Sequence, residues 1–264
     1  MAKLKVKIYA ERNTGSRYLA KLLWRNLDVT VLRWGEPRGL RKLIRNHESL
    51  MDIYWGVTFR QNLGWKHRLA PSAEELKNVD ISHVLFLTLT KNPYSWLLSL
   101  YRRPHNHEKT WDDFNSFLRS PWQPVGRENH AGPFQNPIVM WNEKNRAYLK
   151  LNNFATACNL RYEDLLAKPE AVIDEIALKY NVPRRFGLFV NVIQSTKKDY
   201  EKDFDYYQRY YLEEKWKDKL DSSTLTIINQ YLDHDLVTKF GYNIVCDKEV
   251  IEPQDSFLRD SVDN

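Results

Sequence analysis

The chain has 264 residues and a formal charge of +6, with 42% hydrophobic and 13% aromatic residues, which is the composition of an ordered globular protein. No apolar run approaches the ~20 residues that a membrane-spanning helix needs. Two cysteines, Cys158 and Cys246, argue against a disulfide framework or a cysteine metal site, and both are expected as buried apolar fillers.

No Gly/Ser-rich or Pro-rich linker divides the chain, so residues 1–246 read as one domain. The last 18 residues, 247–264, carry six acids against two bases, which leaves about +10 on residues 1–246. A basic body suits a polyanionic small molecule or an acidic polymer, although no nucleic-acid motif is present. The first apolar run is short, is interrupted by lysines and reads as a strand rather than a signal peptide, so a cytoplasmic location is expected.

From the N-terminus, Leu4, Val6, Ile8 and Ala10 alternate with Lys5, Lys7 and Tyr9, the period of a strand. A polar turn follows, Glu11-Arg12-Asn13-Thr14-Gly15-Ser16-Arg17. Tyr18, Leu19, Leu22, Leu23 and Leu27 then recur at helical spacing, with Ser16 or Thr14 available as a cap. Open amides and the positive dipole end at such a helix start favour an anion, and Gly15 lets backbone approach closely. The stretch therefore reads as a phosphate or phosphosulfate cradle with Arg12 and Arg17 beside it. The plainer reading is a βα connection with solvated arginines, and GxxxxGK[ST] is absent.

Residues 29–32 read as a second strand leading to Trp34-Gly35-Glu36-Pro37, where a parallel sheet would bring Glu36 toward the first loop. Residues 38–50 are basic and helical in pattern, and residues 53–59 read as an aromatic strand or loop. In Gly64-Trp65-Lys66-His67-Arg68-Leu69-Ala70-Pro71, the cations on both sides of His67 disfavour its protonated form, which leaves a neutral base near pH 7. A polar helix is expected over 72–78.

Residues 84–89 form the most hydrophobic strand, as at the centre of a parallel sheet. The strand runs into Thr90-Lys91-Asn92-Pro93, with Pro93 in the first turn of a helix and Ser99 two turns on, so Lys91 and Ser99 are candidates to hold a second phosphate. Residues 105–136, with Trp111 and Trp122, look like a long excursion that covers a site or forms a lid, where exposed Trp and Tyr would stack on a sugar or other flat acceptor. Its histidines, His105, His107 and His130, lack any metal-ligand spacing, so no metal is expected. Helices are expected over 138–151, 169–180, 222–232 and 236–240 and a strand over 154–160, and the tail is expected to pack loosely.

Taken together, these stretches resemble the sulfotransferase family that uses 3′-phosphoadenosine 5′-phosphosulfate (PAPS). The first loop resembles that family's 5′-phosphosulfate loop. Lys91-Asn92-Pro93 with Ser99 resembles its 3′-phosphate motif. Arg161-Tyr162-Glu163-Asp164-Leu165 followed by Pro169-Glu170 is similar to its YEDL stretch. Order and spacing agree over residues 4–242. The resemblance implies a P-loop-like, three-layer α/β/α fold around a parallel sheet of about five strands.

It also implies PAPS as donor, held by Arg12, Asn13, Thr14, Gly15, Ser16, Arg17, Tyr18, Lys91, Ser99 and Tyr162, with Tyr18 bordering the adenine. Four departures stand out. Asn13 occupies the usual loop lysine, so Arg12 or Arg17 would have to supply that cation. Lys91 replaces an arginine and loses its bidentate fork. The C-terminal Arg-Lys-Gly element is missing, with Lys197 and Lys198 as candidates to replace it. Lys66 and His67 are adjacent, where the family has Lys-x-His-Leu-Pro.

The base implied is His67 or Glu36, with Arg12, Arg17, Lys66 and the loop N–H groups neutralising charge on the leaving oxygen. The acceptor would be a hydroxyl or amine on a small molecule or carbohydrate. A nucleotide-dependent kinase and a non-catalytic nucleotide- or sugar-binding protein are the alternatives.

Overall fold

Four strands carry the period-2 and fully apolar patterns of the sequence: β1 (Lys5–Ala10), β2 (Thr30–Val31), β3 (Val84–Thr90) and β4 (Ala157–Arg161). The computed structural model describes residues 3–33, 35, 37–44, 47–104, 111–194 and 202–246. Among the described residues the strands form one parallel sheet in the order β2-β1-β3-β4, four strands rather than the expected five. Residues 53–59 are not a strand. They lie in the helices Glu48–Val57 and Phe59–Asn62, where Met51 and Trp55, one turn apart, turn inward.

Both faces of the sheet are covered, which explains why all seven residues of β3 are buried. On one face Val6, Ile8, Ala10, Leu85, Leu87 and Leu89 pack beneath the first helix (Ser16–Asn26) and the helices Tyr162–Ala167 and Pro169–Lys179. On the other, Tyr9, Val84 and Phe86 meet Leu63, Ala70, Leu76 and Tyr148, the last from the helix Pro137–Lys150. The result is three layers, α/β/α.

A further core at the helical side unites the helix Pro93–Arg102 with Phe117, Trp122, Phe134 and Ile228. Trp122 has no exposed surface, and Trp111 lies 4.9 Å from Phe117. The aromatic residues expected to stand out as a stacking platform therefore belong to this core. The cysteines differ from expectation as well, since Cys158 is partly exposed and Cys246 exposed. No helix among the described residues is long and apolar enough to cross a membrane.

The strand order reverses direction at β1 and β3, which lie side by side, so the loops after them open at one edge of the sheet. In open parallel sheets that crevice, at the carboxyl ends of the strands, is where ligands bind.

Candidate active site

The loop after β1 turns sharply at two left-handed residues, Asn13 (φ 63°) and Gly15 (φ 84°). Gly15 is the N-cap residue of the first helix, and no side chain caps that end. Thr14 instead donates its hydroxyl to the Glu11 carbonyl (2.6 Å), and Ser16 accepts from Lys66 Nζ (3.0 Å). The expected side-chain cap is thus absent, which leaves first-turn amides for an outside acceptor.

Gly15 is required here for a second reason. A Cβ on it would stand 2.4 Å from Cε2 of Tyr162. The YEDL-like stretch therefore closes directly onto the loop, and Lys91 Nζ lies 5.4 Å from the centre of the Tyr162 ring. The loop is also tied to the helix after β3: Trp96 Nε1 donates to the Arg12 carbonyl (2.8 Å) and Asn13 Nδ2 to the Arg103 carbonyl (3.2 Å).

Of the two arginines expected to meet an anion, Arg12 does not. It is 3% exposed and points inward, donating to Glu11 Oε1 (3.0 Å) and Glu128 Oε1 (2.7 Å), so its charge is spent on two carboxylates. Arg17 is exposed at the first turn. The cation brought to the cradle is Lys66, which is 7% exposed and holds Ser16.

Lys66 arrives there because residues 65–67 run beside the end of β1, with Ala10 N donating to the Lys66 carbonyl (2.9 Å). The same register places His67 Nδ1 2.5 Å from the Ala10 carbonyl. A carbonyl only accepts, so Nδ1 carries the proton and Nε2 keeps its lone pair, with no partner among the described residues. Burial, then Lys66 and Arg12, hold the imidazole well below its ordinary value, so it is neutral near pH 7.

Lys91 and Ser99 do come together, Nζ donating to Oγ at 2.8 Å. Lys91 is 1% exposed, however, and the ring of Tyr211, from the helix Phe204–Leu212, lies 3.9 Å over it. Burial pushes its ammonium down to about 7, with Glu163 pulling the other way and Arg102 adding to the fall. Glu163 itself accepts from Asn92 N (3.0 Å) and from the Tyr242 hydroxyl (2.7 Å).

Tyr18, Tyr162, Phe204, Tyr207 and Tyr211 line a small aromatic cleft of about 70 Å³ beside Asn13 and Gly15. Tyr18 borders it with its hydroxyl on Asn191 Oδ1 (2.8 Å). Sequence reasoning missed the aromatic helix as a wall of this cleft, although Tyr206, Tyr207, Tyr210 and Tyr211 at helical spacing were the available signal. Glu36, Lys197 and Lys198 lie outside the described residues, as do His105, His107 and the tail. No group of three or more His, Cys, Asp or Glu side chains able to share a metal ion occurs among the described residues.

Three solved structures are similar to this chain in overall fold. A sulfotransferase domain from the Synechococcus PCC 7002 olefin synthase has 14% identity and a TM-score of 0.49, over 92% of this chain and 96% of that one. A sulfotransferase from Alicyclobacillus acidocaldarius has 12% identity and a TM-score of 0.43, over 88% and 98%. A sulfotransferase domain from the curacin biosynthetic pathway has 15% identity and a TM-score of 0.44, over 93% and 99%. No protein-family model and no curated protein matches the chain. At such identities and TM-scores the likeness carries no argument about chemistry, which rests on the chain's own residues.

Proposed function

We propose that this chain moves a sulfuryl group from PAPS to a hydroxyl or amine of a small-molecule or carbohydrate acceptor. The observation that carries this reading is a neutral His67, whose Nε2 has no partner among the described residues, beside Lys66, which holds Ser16 at the uncapped start of the first helix. An anion receptor and a general base thus lie next to each other.

The donor supplies an activated sulfuryl group and a phosphate that leaves as the new bond to sulfur forms. On the protein side, His67 Nε2 takes the proton released by the acceptor. Lys66, the Ser16 hydroxyl and the first amides of the helix face the charge that builds on the departing oxygen. In this reading Lys66 supplies the loop cation for which Arg12 or Arg17 was the expectation. Gly15 and Tyr162 suit a nucleotide lying close against backbone, and Lys91 with Ser99 suits its second phosphate once the Tyr211 ring moves aside.

The test is transfer of labelled sulfate from PAPS across an acceptor screen, together with melting shifts for the desulfated donor product and for ATP. The product should raise Tm and ATP should do less, since a ligand selective for the folded state stabilises it by mass action. Equal shifts would point to a general nucleotide binder.

Lys91→Ala is expected to weaken binding of the desulfated product about tenfold or more, and binding of its analogue without the 3′-phosphate far less. A charge-assisted hydrogen bond is worth roughly 1.5–3 kcal/mol. Ser99→Ala should act in the same direction. Calorimetry on both ligands decides, and equal losses would leave these residues with the fold alone.

The pH dependence has a definite sign. Only the unprotonated imidazole is active, and its protonation is disfavoured in the folded chain, so the rate should hold its plateau below the ordinary histidine value of 6.5 and fall further down. A rate already falling through 6.5 would contradict the environment described for His67.

A further inference from the structure

We propose that Lys144 and Glu128 are positioning residues for His67, acting through a buried ring of four charges that fixes the imidazole against the Ala10 carbonyl and governs its protonation. This rests on the role given to His67 above. The ring alternates in sign. Arg12 bridges Glu11 Oε1 and Glu128 Oε1, and Lys144 Nζ bridges Glu11 Oε2 and Glu128 Oε2. None of the four side chains is more than 4% exposed. Two cations and two anions leave it neutral overall, the condition under which such a group is tolerated away from water.

The ring is connected to the base at three points. Lys144 Nζ donates to Glu128 Oε2 and to the carbonyl of His67 itself at 2.6 Å, and it forms an ion pair with Glu11 Oε2. Glu128 holds the same segment two residues on, its carbonyl accepting from Leu69 N at 2.8 Å. Glu11 and Arg12 directly follow Ala10, whose carbonyl fixes Nδ1. Burial holds Glu128 up, but Lys144 and Arg12 more than offset this and bring it to about 2, so it stays charged throughout the working range.

The charges facing His67 come from every side. Lys66 and Arg68 flank it in its own segment, Arg12 and Glu11 come from the loop, and Lys144 and Glu128 from the ring's far side. Trp65 lies edge-on at 4.8 Å, with Arg12 and Arg127 over its own ring at 5.0 and 4.5 Å. Of these, Lys144 is the cation that touches both the ring and the His67 backbone. Removing it takes a positive neighbour from the imidazole and leaves two carboxylates sharing Arg12, and both changes favour the imidazolium. Removing the charge of Glu128 does the reverse.

The experiment uses the full chain with isotopically labelled histidine, His67 being assigned through His67→Asn, and no substrate. Lys144→Met should move the His67 titration upward, Glu128→Gln should move it downward or leave it low, and Lys144→Arg should restore the parent curve. Nitrogen shifts should report one Nδ1–H tautomer in the parent chain and a mixture in Glu128→Gln/Lys144→Met. That double variant keeps the Glu11–Arg12 pair balanced and is the one to read if a single variant does not fold.

The acid limb of kcat should move with the titration, so that Lys144→Met loses about tenfold at the pH where the parent is half-active, with unchanged affinity for the desulfated product. A folded Lys144→Met with an unmoved titration, or a double variant with the tautomer intact, overturns the proposal. Titration and tautomer need no turnover. A chain that shows both shifts yet transfers no sulfate would refute the functional reading and leave the ring's role standing.

Discussion

Replacing His67 by Asn should lower kcat for sulfate transfer by about 10²–10⁴ while leaving affinity for the desulfated product nearly unchanged. The separation follows from the geometry. Nδ1 is committed to Ala10, so an asparagine can keep that one hydrogen bond, but it offers no basic nitrogen in place of Nε2. The nucleotide contacts proposed above lie elsewhere, at Gly15, Ser16, Lys66 and Lys91. Glu36→Gln is the companion measurement, because the sequence offers that carboxylate as the other base. Turnover assays with titration calorimetry decide between them. A His67→Asn variant at full rate would remove His67 from the chemistry, and loss in neither variant would remove the proposed mechanism.

Gly15→Ala should cost about 2–5 kcal/mol of stability and abolish nucleotide binding. Two independent penalties combine. The left-handed φ of 84° costs a residue with a Cβ about 1–2 kcal/mol, and the overlap with the Tyr162 ring, 2.4 and 2.6 Å from its nearest carbons, adds the cost of overpacking, about 1–3 kcal/mol. Tyr211 packs edge-on against Tyr162 at 5.3 Å, so a shift of the Tyr162 ring also disturbs that contact. For a chain of this length the loss corresponds to a fall in Tm of about 5–15 °C. Adding Tyr162→Ala should relieve the overlap without relieving the backbone. A Gly15→Ala chain with parent Tm and parent affinity would show that the close approach is unimportant.

Much of the scaffold was legible because its signals are local. Alternation in residues 4–10 marks β1, the unbroken apolar run marks β3, and Asn92 before Pro93 caps the next helix through Tyr94 N and Ser95 N. The pairing of Lys91 with Ser99 was legible for the same reason, since strand end and second helical turn are joined by a single tight connection. Residues 53–59 were misread because β-branched and aromatic side chains suit a strand, and only the burial of Met51 and Trp55 on one side of a helix decides otherwise.

The inward turn of Arg12 was not legible. Its partner Glu128 is 116 residues away, in a stretch that reads as an external excursion, and a sequence discloses a charge without disclosing what neutralises it. The same holds for Trp122, whose burial depends on Trp111, Phe117 and Phe134 assembling around it.

The cations around the loop divide into two groups by exposure. Arg12, Lys66 and Lys91 are 3%, 7% and 1% exposed, whereas Arg17, Arg102 and Arg103 stand in solvent. Charges in water act on an approaching anion across roughly 8–10 Å at physiological salt, and they weaken as ions are added. Buried charges are screened far less, so added ions barely weaken them. For the anion proposed above, the rim arginines would therefore govern how often it arrives, and the interior lysines how long it stays. Ionic strength acts chiefly on the first of these, so the speed of capture and the lifetime of the complex are tuned by different residues.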